Sequence, residues 1–438
     1  MENIRVRFAP SPTGKVHIGN IRAAIYNWLY ARHVGGKFLL RVEDTDLERS
    51  TPEAIQVLFE CMKWLGIDYD EEVFYQTKNV KRHLEVVDQL IASGHAYKCE
   101  KTSRDGKTGT VVMFKMPKEG VIEFDDIVKG HMAKKAEDIQ DFAIVRSDGS
   151  PIFHIANVVD DIDQGVTHII RGDDHVENTF KHICIFKALG APVPKYGHLS
   201  MIVNQQGKPY SKRDGAAFVG EYREQGYLPE ALFNYLLLLG WHPEGDREVL
   251  TREEMIKEFE LEKVHVTAAM FDPKKLAWMN GEYIKRIPAD EFKSELKSRI
   301  SGLVPSVSRD EAWWDYLAPQ VQVRTKFLTD IGKGLEFLFS DEFPVDEKAV
   351  EKRLKKEGAK QALEDVIALF EKVADWKAPA LEECVKTLSQ GSGMGPWVHP
   401  IRVAVSGRGE GIGLFEMLQL LGKEKTLSRL NGALSVCV

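Results

Sequence analysis

The sequence predicts an α/β first half of the doubly wound parallel-sheet type, interrupted by a small α+β insertion and followed by an all-α C-terminal region. Three observations predict it. Short β-type runs around Val6, at 37–42, at 166–170 and at 199–203 alternate with helix-length segments of 3.6 periodicity, the pattern of parallel strands joined by crossover helices. From Lys98 to about Gln140, Gly106, Gly109, Gly120 and Gly130 punctuate short β-like pieces instead. Beyond residue 300 strand signals fade, and Val321–Phe339, Glu347–Val373, Ala380–Ser389 and Gly413–Leu421 show helical spacing.

At 438 residues the chain exceeds one core and suggests about three domains. A hydrophobic fraction of 43% with 29% charged residues excludes a disordered chain. The start, Met1–Arg5, carries no apolar h-region, and no apolar run approaches the ~20 residues that span a bilayer, so a cytoplasmic location without membrane contact is expected. Cys61, Cys99, Cys184, Cys384 and Cys437 are scattered, without a C-x-x-C pair, and are expected to be reduced thiols. The net charge of −7 does not advertise a polyanionic partner, although Lys81-Arg82-His83, Lys285-Arg286 and the lysines around Arg353 form local basic clusters.

The first element is the stretch Arg5 to Asn20. Val6 and Phe8 alternate with arginines as at the end of a strand, Pro10, Pro12 and Gly14 enforce a turn, and Ile21, Ala24, Ile25 and Trp28 open a helix. A strand–loop–helix connection of this kind presents free backbone N–H groups and the positive end of a helix dipole, which suits a nucleotide phosphate. Gly19 lets a ligand approach the backbone, and His17 supplies a hydrogen bond to phosphate.

Next, Lys37–Val42 ends in Glu43-Asp44-Thr45-Asp46. At a strand's carboxyl end these acids either hold an amino group or ribose hydroxyl, or cap the helix Pro52–Leu65 through Thr45 or Asp46. The apolar run Ile152–Val159 leads to Asp160-Asp161, and Val166–Ile170 is a strand ending in Arg171-Gly172-Asp173-Asp174-His175, again charge at a strand's carboxyl end. For Asp174 and His175 a capped helix start outweighs a metal site. After Leu199–Val203 comes Asn204–Gly215, a Gly-bounded loop whose Lys208, Lys212, Arg213 and Ser211 suit a leaving pyrophosphate. Gly226 to Trp241 reads as a helix with Pro229 in its first turn.

Several of these runs resemble class I aminoacyl-tRNA synthetases. His17-Ile18-Gly19-Asn20 is similar to their HIGH signature, with Asn20 where the last His stands, and Arg7 to Gly14 resembles the form found in glutamyl-tRNA synthetases. Pro209-Tyr210-Ser211-Lys212-Arg213 resembles the KMSKS signature, with Pro209 in the first lysine's place. Phe271-Asp272-Pro273, Trp278 to Gly281, Pro400 to Gly407 and Leu421 to Glu424 extend the likeness essentially end to end.

The resemblance implies a Rossmann-type catalytic domain at 1–97 and 141–225, a shortened acceptor-arm insertion at 98–140, a stem-contact region at 226–300 and a helical anticodon region at 301–438. It implies a glutamate–tRNA ligase with ATP as substrate and Mg²⁺ as companion, tRNA(Glu) and glutamate as partners, and a monomer. Only Cys99 lies in the insertion, so no zinc is expected there. His17, Gly19, Asn20, Ser211, Lys212 and Arg213 would hold ATP, with His17, Gly19, Asn20 and Lys212 serving the reaction. Arg7, Ala9, Ser11, Glu43, Phe153, Asn157 and Arg171 would line the glutamate pocket: Arg7 on the side-chain carboxylate, Glu43 on the ammonium and Arg171 on the α-carboxylate. The family usually has Tyr where Phe153 stands. Three rivals remain open: a glutaminyl-tRNA synthetase, a glutamyl transferase acting on a tRNA base, against which the long C-terminus tells, and a catalytically dead tRNA-binding module.

Overall fold

The computed structural model describes residues 3–437 apart from 13, 47–49, 103–107, 304–308 and 390–392. Thr13 of the first turn and Gly106 of the insertion therefore lie outside the described residues. The chain divides into two compact units, Met1–Met279 and Asn280–Val438.

In the first unit, β1 (Arg5–Phe8), α1 (Ile18–Val34) and β2 (Lys37–Val42) make one crossover, with β1 and β2 parallel from Arg5 opposite Lys37 to Phe8 opposite Leu40. After α2 (Pro52–Trp64), β3 (Phe74–Tyr75) pairs parallel to the end of β2, and α3 (Val80–Ala92) follows. The strands β4 (Ala96–Thr102), β5 (Thr108–Phe114), β6 (Val121–Asp126), β7 (Gly130–Lys135) and β8 (Phe142–Val145) precede α4 (Phe153–Asp163). A second crossover then runs through β9 (His168–Gly172), α5 (Val176–Ala188) and β10 (Lys195–Leu199), whose strands are again parallel.

The two crossovers meet side by side. Arg5 donates its N–H to Thr167 Oγ1 at 2.9 Å, and Thr167 returns its N–H to the Arg5 carbonyl at 2.9 Å, so β9 lies against β1. The spatial order is β3-β2-β1-β9-β10-β6-β7, and the connections leave the β1/β9 boundary in opposite directions. That boundary is the topological switch point, where a crevice opens beyond the carboxyl ends of the strands.

The insertion at 98–140 is knitted into its surroundings. β4, β5 and β8 form an antiparallel sheet that crosses both of its limits, while β6 pairs with β10 through Asp126 and Tyr196 and carries β7 at the sheet's edge. Apolar residues impose this: Val112, Phe114, Ile122 and Phe142 join Val86, Leu90, Ile155, Ile169, Phe180 and Ile183 in one buried cluster.

The structure completes one local reading and changes another. Ile152–Val159, which the sequence leaves without an assignment, lies in α4 from Phe153 onward, so Asn157, Asp160 and Asp161 share one buried helical face. A short apolar run does not distinguish a strand from a buried helix, and here the polar residues three and four apart decide. Neither Thr45 nor Asp46 caps α2; Thr51 does, accepting the Ala54 N–H at 3.2 Å.

The first unit continues through β11 (Ile202–Val203), α6 (Val219–Glu224), α7 (Pro229–Leu238), α8 (Arg252–Glu258) and β12 (Ala269–Met270) into α9 (Pro273–Ile284). The second unit is helical: α10 (Ala289–Leu303), α11 (Glu311–Gln322), α12 (Glu347–Arg353), α13 (Ala359–Phe370), α14 (Ala378–Ser389), α15 (Gly395–Ser406), α16 (Leu414–Leu421) and α17 (Lys423–Ala433). The spacing at Val321–Phe339 does not yield a helix. α11 stops at Gln322, and Gly332 and Gly334 at φ +84° and +77° bend the chain into turns and short 3₁₀ segments. Gly358, at φ +83°, likewise splits Glu347–Val373 into α12 and α13.

Candidate active site

A cleft of about 610 Å³ opens at the switch point. Its walls include Arg7, Ala9 and Ser11 from β1 and the following loop, His17, Gly19, Asn20 and Arg22 from the start of α1, and Glu43 beyond β2. Phe153 and Asn157 of α4, Arg171 of β9, Asp174 and His175, and Pro209 and Tyr210 complete them.

Beneath Arg7 lies a compensated set of buried charges. Arg7 Nε donates to Asp161 Oδ1 at 3.0 Å, Arg41 Nη1 donates to the same oxygen at 2.6 Å, and Arg41 Nη2 reaches Glu43 Oε1 at 3.3 Å. Asn157 Nδ2 donates to Glu43 Oε1 at 2.6 Å. Burying one such charge alone costs several kcal/mol, so the alternation of two guanidiniums with two carboxylates is what makes the arrangement tenable. Burial pushes the Glu43 carboxyl above its ordinary range, against the pull of Arg41 and Arg7. Burial acts on Asp161 in the same sense, but there Arg41 and Arg7 outweigh it and hold the carboxylate low. Arg41 and Asp161, absent from the sequence-based site, hold its members in place. The signal for both was a charged residue within an apolar run, readable only once α4 is known to face β2.

Arg171 is also buried, with Nη2 donating to Thr179 Oγ1 at 2.6 Å; its pKa falls to about 10 because burial disfavours its charge. Phe153 opens α4, its ring centroid 5.7 Å from that of His175. Behind it His154 Nδ1 lies 3.2 Å from His182 Nε2, and burial, then the Lys181 and Arg171 charges, pull His154 down to about 4.

The start of α1, expected from the sequence to offer free amides to a phosphate, departs from that expectation. The Ile18 N–H donates to Ala217 O at 2.9 Å, the Gly19 N–H to His17 Nδ1 at 3.0 Å, and the Asn20 and Ile21 N–H groups to His17 O at 3.0 and 3.1 Å. The first amides of α1 are therefore not free, because residues 216–219 return alongside His17 and its imidazole caps the helix. Burial lowers the His17 pKa, with the Tyr210 backbone opposing. A neutral ring that accepts at Nδ1 keeps its proton at Nε2, a donor for an anion. Arg22, a residue the sequence reading passed over, is buried on the cleft wall with Nη1 on Ser200 O at 2.6 Å.

The loop after β11 sits apart. Asn204 Oδ1 accepts the N–H groups of Gln206 and Lys208, both at 3.0 Å, and Asp214 Oδ2 accepts the Ser211 N–H and hydroxyl, both at 2.9 Å. Pro209 and Tyr210 line the cleft, whereas Ser211, Lys212 and Arg213 do not, and both cations are exposed. The structure thus gathers Arg7, Ala9, Ser11, His17, Gly19, Asn20, Glu43, Phe153, Asn157 and Arg171 into one cleft and leaves the three loop residues outside it.

Comparison with known proteins agrees with this architecture. Residues 3–108 and 101–278 match the catalytic domain of class I tRNA synthetases (E and Q), and 274–434 match an anticodon binding domain. Glutamate–tRNA ligases from Symbiobacterium thermophilum and Francisella philomiragia are 40% and 41% identical to the chain, covering 98% of it and 99% and 98% of their own lengths. The chain belongs to the glutamate–tRNA ligase family. Within this family its fold superposes with a TM-score of 0.86 on a glutamate tRNA ligase from Elizabethkingia meningosepticum, crystallised in complex with its amino acid. The two are 29% identical, and the match covers 99% of each chain. The glutamate-tRNA synthetase of Elizabethkingia anophelis gives 0.85 at 30% identity, over 99% of this chain and 100% of that one. As in a class I synthetase of this family, the Rossmann-like sheet carries the cleft and the helical unit coincides with the anticodon binding domain.

Proposed function

We propose that the chain activates glutamate with ATP and transfers the glutamyl group to the 3′-terminal adenosine of tRNA(Glu). The observation that carries this is charge matching: glutamate has two carboxylates and one ammonium, and the cleft brings Arg7, Arg171 and Glu43 together, with Arg22 and Asp174 elsewhere on its walls. Arg7 takes the side-chain carboxylate, Arg171 the α-carboxylate and Glu43 the ammonium, since guanidinium forks are the natural partners of carboxylates. Asn157 orients Glu43. Ala9 and Ser11 border the pocket, and Phe153 closes it beside His175.

In the first step an α-carboxylate oxygen attacks the α-phosphorus of ATP, the bond to the bridging oxygen breaks, and pyrophosphate leaves with its electron pair. This is an in-line displacement, so positioning and charge stabilisation supply the rate and no protein nucleophile is needed. His17 Nε2, Asn20 and the close approach allowed by Gly19 hold the phosphates, while Ser211, Lys212 and Arg213 meet the leaving pyrophosphate when the exposed loop closes on it. In the second step a terminal ribose hydroxyl of tRNA attacks the acyl carbon and AMP departs. Among the described residues no group of three or more His, Cys, Asp or Glu is placed to hold a metal ion. We assign Mg²⁺ to the triphosphate that brings it.

The region 98–140 is assigned to the acceptor arm, 226–300 to the stem and 301–438 to the anticodon, with a monomer in the cytoplasm as the working unit. Among the described residues no helix is long and apolar enough to cross a membrane. The test is ATP–pyrophosphate exchange with glutamate or glutamine, with and without tRNA. Exchange is expected with glutamate when tRNA is present. Exchange driven by glutamine would overturn the substrate, and none with either amino acid would leave a tRNA-binding module. Metal analysis of chelator-washed protein should find no zinc; one equivalent would overturn that expectation.

A further inference from the structure

Arg7 and Arg171, both on the walls of the cleft, are held in different ways. Arg7 meets a carboxylate directly, at Asp161. Arg171 meets an imidazole: its Nε donates to His198 Nε2 at 3.4 Å, and its Nη2 donates to Thr179 Oγ1 at 2.6 Å and the His175 carbonyl at 3.3 Å. The ring of Tyr196 flanks the guanidinium at 5.6 Å and stacks on His198. Nη1 carries none of these bonds and is left for the cleft that Arg171 lines.

His198 is itself fastened from behind. Its Nδ1 lies 2.5 Å from Asp126 Oδ2, and both side chains are fully buried. Asp126, at the end of β6, also accepts the backbone N–H groups of Val128 and Lys129 at 2.9 and 2.8 Å and that of His198 at 3.2 Å. An ionised carboxylate only accepts, so the imidazole proton sits on Nδ1 and the Nε2 lone pair faces Arg171 Nε–H and the Thr179 hydroxyl, 3.0 Å away. The charged and titratable groups acting on His198 are Asp126, Arg171, Lys129 and His175.

We propose that His198, buttressed by Asp126, is a positioning residue that aims Arg171 at a carboxylate of the bound amino acid without neutralising it. A carboxylate placed directly on Arg171 would compete with the substrate's own. The interposed neutral imidazole supplies an acceptor and a fixed direction while the countercharge stays one residue further back. The lowered pKa of Arg171 agrees with a guanidinium whose charge is left largely uncompensated. The proposal rests on the reading that Arg171 takes a carboxylate of glutamate.

The experiment is a double-mutant cycle in tRNA-supplemented ATP–pyrophosphate exchange, with wild type, H198A, R171A and the double variant, each checked by thermal denaturation. H198A should raise the KM for glutamate about tenfold, with kcat and the KM for ATP within about twofold, and R171A should raise it further. The double variant should be no worse than R171A, because without the guanidinium there is nothing left to aim. An unchanged glutamate KM in folded H198A, an equal rise in the KM for ATP, or a double variant worse than R171A by the full H198A factor would overturn the proposal. If H198A does not fold, H198L, which fills more of the space without offering an acceptor, takes its place in the same cycle with the same criteria. Wild type inert toward glutamate would instead overturn the proposed function, and R171A equal to wild type would overturn the role of Arg171.

Discussion

Arg7, Arg41, Glu43 and Asp161 are 3%, 0%, 6% and 1% exposed and bond to one another, whereas Lys212 and Arg213, on the loop after β11, stand in solvent. At the amino-acid end the charges are set before any ligand arrives, because a buried charge survives only if its partners are already in place. On the loop, Ser211 and Asn204 are tied to Asp214, bonds that shape the loop and do not involve its exposed cations. Under the proposed function the difference divides the work: selection by buried, mutually compensated charges, and stabilisation of the leaving pyrophosphate by exposed charges that act when product charge develops.

The sharpest way to break this comparison is at Arg7. Arg7→Ala should cost about 4 kcal/mol in kcat/KM for glutamate, roughly a thousandfold, and should abolish discrimination against glutamine, because it leaves Asp161 and Glu43 with one buried cation instead of two. Exchange kinetics with both amino acids read this, and preserved selectivity would remove Arg7 from recognition. On the loop, Lys212→Ala should lower exchange by on the order of 3 kcal/mol, a hundredfold or more, with little change in the KM for ATP. Lys208→Ala should fall well short of that, since Lys208 stands one residue before Pro209, which occupies the place of the signature's first lysine. A near-wild-type rate for Lys212→Ala would confine the chemistry to the buried end.

Acid should separate the two ends as well. His154 has a folded pKa of about 4, below its ordinary value of 6.5, so folding favours the neutral ring. Its stabilising contribution is present above about 6.5 and is lost as the pH falls through about 4, at up to ~1.4 kcal/mol per pH unit. Urea unfolding across that window should show a shallower slope for His154→Gln than for wild type, and equal slopes would sink the idea. The smallest effect concerns Phe153→Tyr, where one added hydroxyl at the cleft wall should improve glutamate binding by about 1 kcal/mol, roughly fivefold in KM. No improvement would mean that the pocket has no acceptor for it.

What was legible in the sequence was whatever depends on neighbours along the chain. Alternation and 3.6 periodicity yield the strands and crossover helices of the first half. The turn residues between Phe8 and His17 yield the strand–loop–helix, and the helical second half follows from the loss of strand runs. His17, Glu43 and Arg171 stood out because each sits at or just beyond the end of a strand or loop, where a parallel sheet exposes side chains to a crevice, and Arg7 through the resemblance of its motif. Glycine-driven breaks at Gly332, Gly334 and Gly358 were missed because a helical spacing of apolar residues persists through them even though the backbone turns at positive φ.

The sequence by itself determined the doubly wound first half, the helical second half and the family, because local periodicity and contiguous motifs carry those. Only the tertiary structure decided which residues hold the site: that Asp161 and Asn157 face β2 from a helix, that Ala217 occupies the first amide of α1, and that Asp126 stands behind His198. Arg41 and Asp161 are 120 residues apart, and Asp126 and His198 are 72 apart. Partners so distant along the chain are brought together by sheet order and helix packing, and no periodicity within either segment encodes the other.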